Sequence, residues 1–126
     1  MSSPGRQIEV GQPKRFLQPC LLLLIAECPA HGYDLLERLA SFGFERDPGG
    51  LYRALRAMES DGLVRSEWQL SAIGPGRRCY ELTGRGQERL HAWAEGLLET
   101  RQVVEAYLER FHAVEASRGA AERAGR

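Results

Sequence analysis

Hydrophobic and polar positions follow three different rhythms along this chain, and each change of rhythm marks a new element. Phe16–Cys28 is almost wholly apolar, with an unbroken run over Leu21–Ala26. That density predicts a helix buried on most of its sides. Pro19 is tolerable in a first helical turn, and Pro29 ends the segment in a short PAHG connection. In YDLLERLASFG, Leu35, Leu36 and Leu39 recur at helical spacing before Gly43 acts as a stop. A loop FERDPGG follows. Leu51, Leu55 and Met58 then form an i, i+4, i+7 stripe on a third helix, with Asp47 as its N-cap, Pro48 at its first position and Gly62 at its end.

After Gly62 the period shortens. LVRSEWQL (63–70) alternates loosely around Val64 and Trp68, as a strand does. SAIGPGR reads as a Gly- and Pro-rich turn, and RRCYELT as a second strand, so the pair predicts a β-hairpin. Thr83 is placed to cap a long last helix running to about Val114, which at ~1.5 Å per residue would reach ~48 Å. On it Leu90, Leu97, Val104 and Phe111 recur every seven residues, flanked by Trp93, Ala94, Leu98, Tyr107 and Leu108, while Arg101 interrupts a second line. Residues 1–14 read as a flexible arm, 15–82 as one folded domain, 83–114 as the long helix, and 115–126 as a disordered tail.

Composition narrows the class. The chain has 126 residues, 43% hydrophobic and 27% charged, the balance of a soluble globular domain. The apolar run is too short to span a membrane, and the first residues lack the apolar stretch of a secretory signal, so a cytoplasmic location is expected. Cys20, Cys28 and Cys79 form no CxxC pair, and no histidine stands at zinc-ligand spacing, so free thiols, no metal and no cofactor are expected. Seventeen basic residues balance seventeen acidic ones, which argues against a general polyanion binder. Residues 48–90 nonetheless carry seven arginines against five acids, so a nucleic-acid surface would have to be local.

Three helices followed by a hairpin is the layout of a winged helix-turn-helix. The expected fold is therefore mainly α with a small β-hairpin, extended by a long C-terminal dimerisation helix. HGYDLLERL (31–39), GGLYRALRAMESDGLVRSEW (49–68) and GPGRRCYELTGRGQERL (74–90) resemble the PadR-like transcriptional regulators, and the likeness covers Phe16 to about Leu108. The single last helix is similar to the family's shorter subgroup. The string from Gly43 through SEW and GPGRR is similar to the branch of polyhydroxybutyrate-responsive repressors. The resemblance implies that the third helix enters a DNA major groove and that Tyr52 touches a backbone phosphate.

The residues can be read for that role on their own chemistry. With Leu51, Leu55, Met58 and Leu63 facing the core, Tyr52, Arg53, Arg56 and Ser60 lie off it. An arginine can fork onto a guanine edge, and a tyrosine hydroxyl can hold phosphate. Gly49 and Gly50 open the helix N-terminus, where backbone N–H groups favour an anion. Arg77 and Arg78 follow the turn and can reach a minor groove or flanking phosphates, although alternation sends them to opposite sheet faces. The Lys14–Arg15 pair could add a phosphate contact. The bland alternative is a solvated arginine face with Tyr52 packed.

A domain of this size cannot cover the long helix, so Leu90, Trp93, Leu97, Val104, Leu108 and Phe111 are expected to pair with a second copy. Trp93 is either an interface anchor or, as the resemblance implies for an aromatic in this region, part of a pore for a hydrophobic or aromatic small-molecule effector. Expected partners are double-stranded DNA, a second copy of the chain and such an effector, with no membrane. His31 reads as a loop or cap residue. No GxSxG, Walker loop, HExxH or oriented Cys/His pair is present, and an enzyme is not expected. The rival reading is a winged domain used only for protein contacts, which the neutral charge would suit.

Overall fold

The computed structural model describes residues 15–70 and 74–125. The arm 1–14 with Lys14, and the hairpin tip 71–73, lie outside the described residues. The elements are α1 (Leu17–Glu27), β1 (Ala30–His31), α2 (Gly32–Arg38) followed by a 3-10 turn (Leu39–Phe42), α3 (Pro48–Ser60), β2 (Val64–Gln69), β3 (Arg77–Leu82) and α4 (Gly84–Ala124). This is a mainly helical fold with a small antiparallel sheet, as the sequence pattern predicts. The chain divides into two units at Leu90/His91.

The first unit holds the core. Leu21, Leu22, Leu35, Leu55 and Leu63 have no solvent exposure, and Cys20, Leu51 and Met58 have 1%. The solid apolar run of α1 explains its depth: Pro19, Cys20, Leu21, Leu22, Leu24 and Ile25 are all buried, so most sides of the helix are covered. α1's open C-terminal end is closed from α2. Arg38 donates to the Leu24 carbonyl at 3.2 Å and to Glu27 at 2.9 Å, adding a second donor to an acceptor that the Cys28 amide also reaches at 3.3 Å.

α3 begins as its sequence dictates. The Asp47 carboxylate accepts from the Gly50 amide at 3.0 Å and Pro48 occupies the first helical position. Gly43 and Gly62 stop the preceding helical segments with φ of 84° and 78°, a region that costs most side chains steric strain. Thr83 then joins three elements: its hydroxyl donates to the Gly62 carbonyl at 2.6 Å and accepts from the Gly86 amide at 3.0 Å.

Two features differ from the sequence reading. The PAHG connection contains β1, whose Ala30 and His31 pair with Tyr80 and Cys79, so the sheet has three strands in the order β1-β3-β2. A two-residue strand has no periodicity of its own. The long helix also continues to Ala124 instead of giving way to a disordered tail after Val114. The apolar stripe does stop there, but EASRGAAERA is rich in alanine, glutamate and arginine, which sustain a helix without packing, and Arg118 pairs with Glu115 at 3.6 Å.

The second unit, His91–Arg126, is helical as far as Ala124. No described residue in it is buried. Leu98, Val103, Val104, Tyr107, Leu108, Phe111 and Val114 all stand in solvent. No helix among the described residues is long and apolar enough to cross a membrane.

Candidate nucleic-acid interface

The amphipathic stripe of α3 decides which of its residues can meet a ligand. Leu51, Leu55 and Met58 fill the core, and the helix leaves Tyr52, Arg53, Arg56 and Ser60 exposed. Tyr52 also packs. A Cβ added at Gly32 would stand 2.6 Å from the Tyr52 ring, so the ring lies directly on the backbone at the start of α2. The Tyr52 ring is therefore packed, and the residue remains 39% exposed.

Arg53 folds back along α3, its Nη1 lying 3.3 Å from where a Gly49 Cβ would be. Gly50 differs from the expectation. Its amide is already taken by Asp47, whose carboxylate lies 2.3 Å from where a Gly50 Cβ would be. The anion at this helix start comes from the chain itself, so the Gly50 N–H is not open to a phosphate. Gly50 is glycine because Asp47 closes over it.

The hairpin register sorts the two wing arginines. β2 and β3 pair Trp68 with Arg78, Ser66 with Tyr80, and Gln69 with Arg77. Alternation places Arg78 on the face that carries buried Tyr80 and Val64, and Arg77 on the other. Arg78 donates to the Ser66 hydroxyl at 3.0 Å, and Ser66 donates to Glu59 of α3 at 2.8 Å. A trough of about 350 Å³ lies between the start of α2, α3 and the hairpin, bordered by Tyr33, Tyr52, Trp68, Arg77 and Arg78.

Sequence reasoning passed over two of these aromatics. Tyr33 is 55% exposed with the Arg46 guanidinium over its ring at 5.3 Å, and Arg46 is also ion-paired to Glu37. Trp68 is 59% exposed under Arg78. Large aromatics left in solvent beside arginines were the available signal. His31 is the residue before α2; its ring bonds Gln69 at 3.0 Å and Asp34 at 3.4 Å. Burial, and behind it Glu59, raises the Tyr80 hydroxyl above its ordinary pKa.

On the long helix, Leu90, Trp93 and Leu97 are half-buried, while Val104, Leu108 and Phe111 are exposed. The uncovered strip is wider than the heptad line. Val103, Ala106, Tyr107, Arg110, Phe111 and Val114 border a shallow groove of about 680 Å³, which adds Val103 and Val114 to the expected set. The three cysteines are free, and no group of metal-ligating side chains occurs among the described residues.

A buried three-helix core, a solvent-facing third helix and a β-hairpin beside it define a winged helix-turn-helix protein. Residues 21–92 match the transcriptional regulator PadR-like family, and the chain belongs to that family. It is 38% identical over 65 residues to a transcriptional regulator of Mycobacterium tuberculosis, covering 52% of this chain and 60% of that protein. The chain thus spans about three fifths of the length of that curated relative. Among solved structures it is similar to a PadR-like transcription factor from Bacteroides fragilis, at 31% identity and a TM-score of 0.64 over 71% of this chain and 87% of the other. It shares its fold with Bacillus subtilis PadR, solved in complex with operator DNA, at 22% identity and a TM-score of 0.59, over 66% of this chain and 48% of that one. Members of this family are transcription regulators, not enzymes.

Proposed function

We propose that this chain binds double-stranded DNA at specific sequences and regulates transcription as a homodimer. The observation that carries the reading is the polar side of α3: Tyr52, Arg53 and Arg56 face solvent while Leu51, Leu55 and Met58 anchor the opposite side. Arg53 and Arg56 read base edges in the major groove, Tyr52 holds a phosphate, and Arg78 steadies the flanking backbone. That a relative of the same fold was solved in complex with operator DNA supports duplex DNA as the ligand.

Pairing through the second unit is supported by its exposed apolar side chains, among them Val104, Leu108 and Phe111. A two-fold dimer presents two reading helices about 34 Å apart, which fits a pseudo-palindromic promoter site. Occupying that site blocks polymerase, so the protein is a repressor. Trp93 and its neighbours on the paired helices form the place where a flat hydrophobic effector alters the spacing of the two heads. Such an effector must bind the two arrangements with different affinity.

Repeated selection of duplexes from a fragmented genomic library, followed by mobility shift, tests the proposal. Wild-type protein is expected to enrich a symmetric site. Arg53→Ala is expected to weaken it by about 1–3 kcal/mol and relax preference at one position of each half-site. Unchanged affinity removes Arg53 from the reading surface. A protein-contact module is the second reading, favoured by the net charge of zero. Failure to enrich or shift any duplex at low salt would select it.

A further inference from the structure

Trp68 is a large aromatic standing mostly in solvent, and its contacts are with the hairpin. It lies opposite Arg78 in the β2–β3 ladder, and the Arg78 guanidinium sits over the indole at 5.9 Å from the ring centroid. The residue just before β3 approaches it as backbone. A Cβ added at Gly76 would stand 2.5 Å from the indole Nε1 and 2.7 Å from Cε2, closer than any side chain allows. Arg78 is fixed a second time by its bond to Ser66 at 3.0 Å, and Ser66 is tied to Glu59 of α3 at 2.8 Å. One arginine is thus held by an aromatic plane and by a hydroxyl anchored to α3.

A free arginine side chain samples many rotamers and loses that freedom when it binds a phosphate. An arginine already stacked on an indole has lost most of it beforehand, and a guanidinium makes its phosphate bonds with N–H groups directed outward in a fixed plane. We infer that Trp68 is a positioning residue for DNA binding: it holds Arg78, and with it the base of the wing, in the orientation that meets the DNA backbone. The inference rests on the DNA-binding reading above. It assigns to Trp68 an action through Arg78, not a contact of its own.

A double-substitution cycle tests it, using the duplex that wild-type protein selects from a random library. Trp68→Ala and Arg78→Ala are each expected to weaken binding roughly tenfold. Each should lower the slope of log affinity against log salt by about one unit, as loss of one phosphate contact does. The pair together should lose no more than either alone, because both remove the same contact. Trp68→Phe should recover most of the affinity, and Gly76→Ala, which displaces the indole without deleting it, should mimic Trp68→Ala if that variant fails to fold. A readout without DNA accompanies these: in a Trp93→Phe background, Arg78→Ala should shift the Trp68 emission.

Losses that multiply in the double variant, or full affinity in Trp68→Ala, would overturn the positioning role while leaving DNA binding intact. A wild-type protein that selects no duplex would overturn the DNA-binding reading, and this inference with it.

Discussion

Leu55 and Leu108 are the same residue type on helices of the same chain, yet the first has no solvent exposure and the second has 45%. The contrast runs through both units. In the first, every leucine of the α1, α2 and α3 stripes that faces inward finds partners from its own chain. In the second, a strip from Leu98 to Val114 stays exposed among the described residues. Burying such side chains is worth about 1.5–3 kcal/mol each relative to leaving them exposed. The first unit collects that stabilisation by folding alone. On the proposed pairing the second collects it by meeting another copy, so its stability should depend on protein concentration where the first unit's does not.

The largest expected effect follows from that dependence. Val104→Asp puts a charge in the middle of the strip proposed to pair, where an uncompensated buried carboxylate would cost about 3–5 kcal/mol. On the proposed pairing, sedimentation should show wild type as a dimer and the variant as a single subunit at the same concentration, with the near-ultraviolet spectrum of the first unit retained. A variant that still sediments as a native dimer would mean that the strip is not the interface. Leu55→Ala should act in the opposite way. It leaves a cavity costing about 2–5 kcal/mol, lowers the melting temperature, and does so by the same amount at every protein concentration.

Gly86→Ala is expected to rank third. The new methyl group would fall 2.0 Å from the Leu63 carbonyl oxygen, at the place where α4 starts against the strand exit. Backbone must move to admit it, and overpacking of this kind costs about 1–3 kcal/mol. Thermal unfolding by circular dichroism measures it. No change would show that the first turn of α4 is loosely seated. Gly84→Ala is the control, since open space surrounds that position.

What could be read from the sequence was local. The Leu51, Leu55, Met58 stripe, the Asp47–Pro48 start and the Thr83 cap each depend on residues within one or two turns, and each is present. Long-range placement was hidden. β1 exists only because Tyr80 and Cys79 offer it a partner some fifty residues away. The Gly50 amide looked free until the Asp47 carboxylate was placed over it. By propensity Gly86 is a poor residue for a first helical turn, whereas its reason is the Leu63 carbonyl oxygen, distant in sequence. Alternation showed that Arg77 and Arg78 point to opposite faces, but only the register with Trp68 and Ser66 shows which one faces α3. The end of α4 was missed for the reverse reason. Packing periodicity stops at Val114, and propensity alone carries the helix on to Ala124.

The smallest effect separates the units by pH. All three cysteines, and the buried Tyr80, lie in the first unit. Burial pushes the Cys20 thiol up from 9.0 to about 11. Below pH 9 the thiol is neutral in both folded and unfolded chains, so its contribution is fully present and flat. Above pH 9 the unfolded thiol loses its proton while the folded one keeps it, and stability falls until the pH passes about 11. Tyr80, raised by burial above its usual 10, contributes with the same sign at a higher onset. Urea midpoints measured from pH 8 to 11 should therefore decline for the first unit's transition. Cys79, raised by burial and then by Glu81, adds to the decline with the same sign, so Cys20→Ala should reduce the part that begins near pH 9, and Tyr80→Phe the later part. Val104→Asp, which changes only the second unit, should leave the whole alkaline profile in place; if that substitution flattened it, the two units would not be thermodynamically separate.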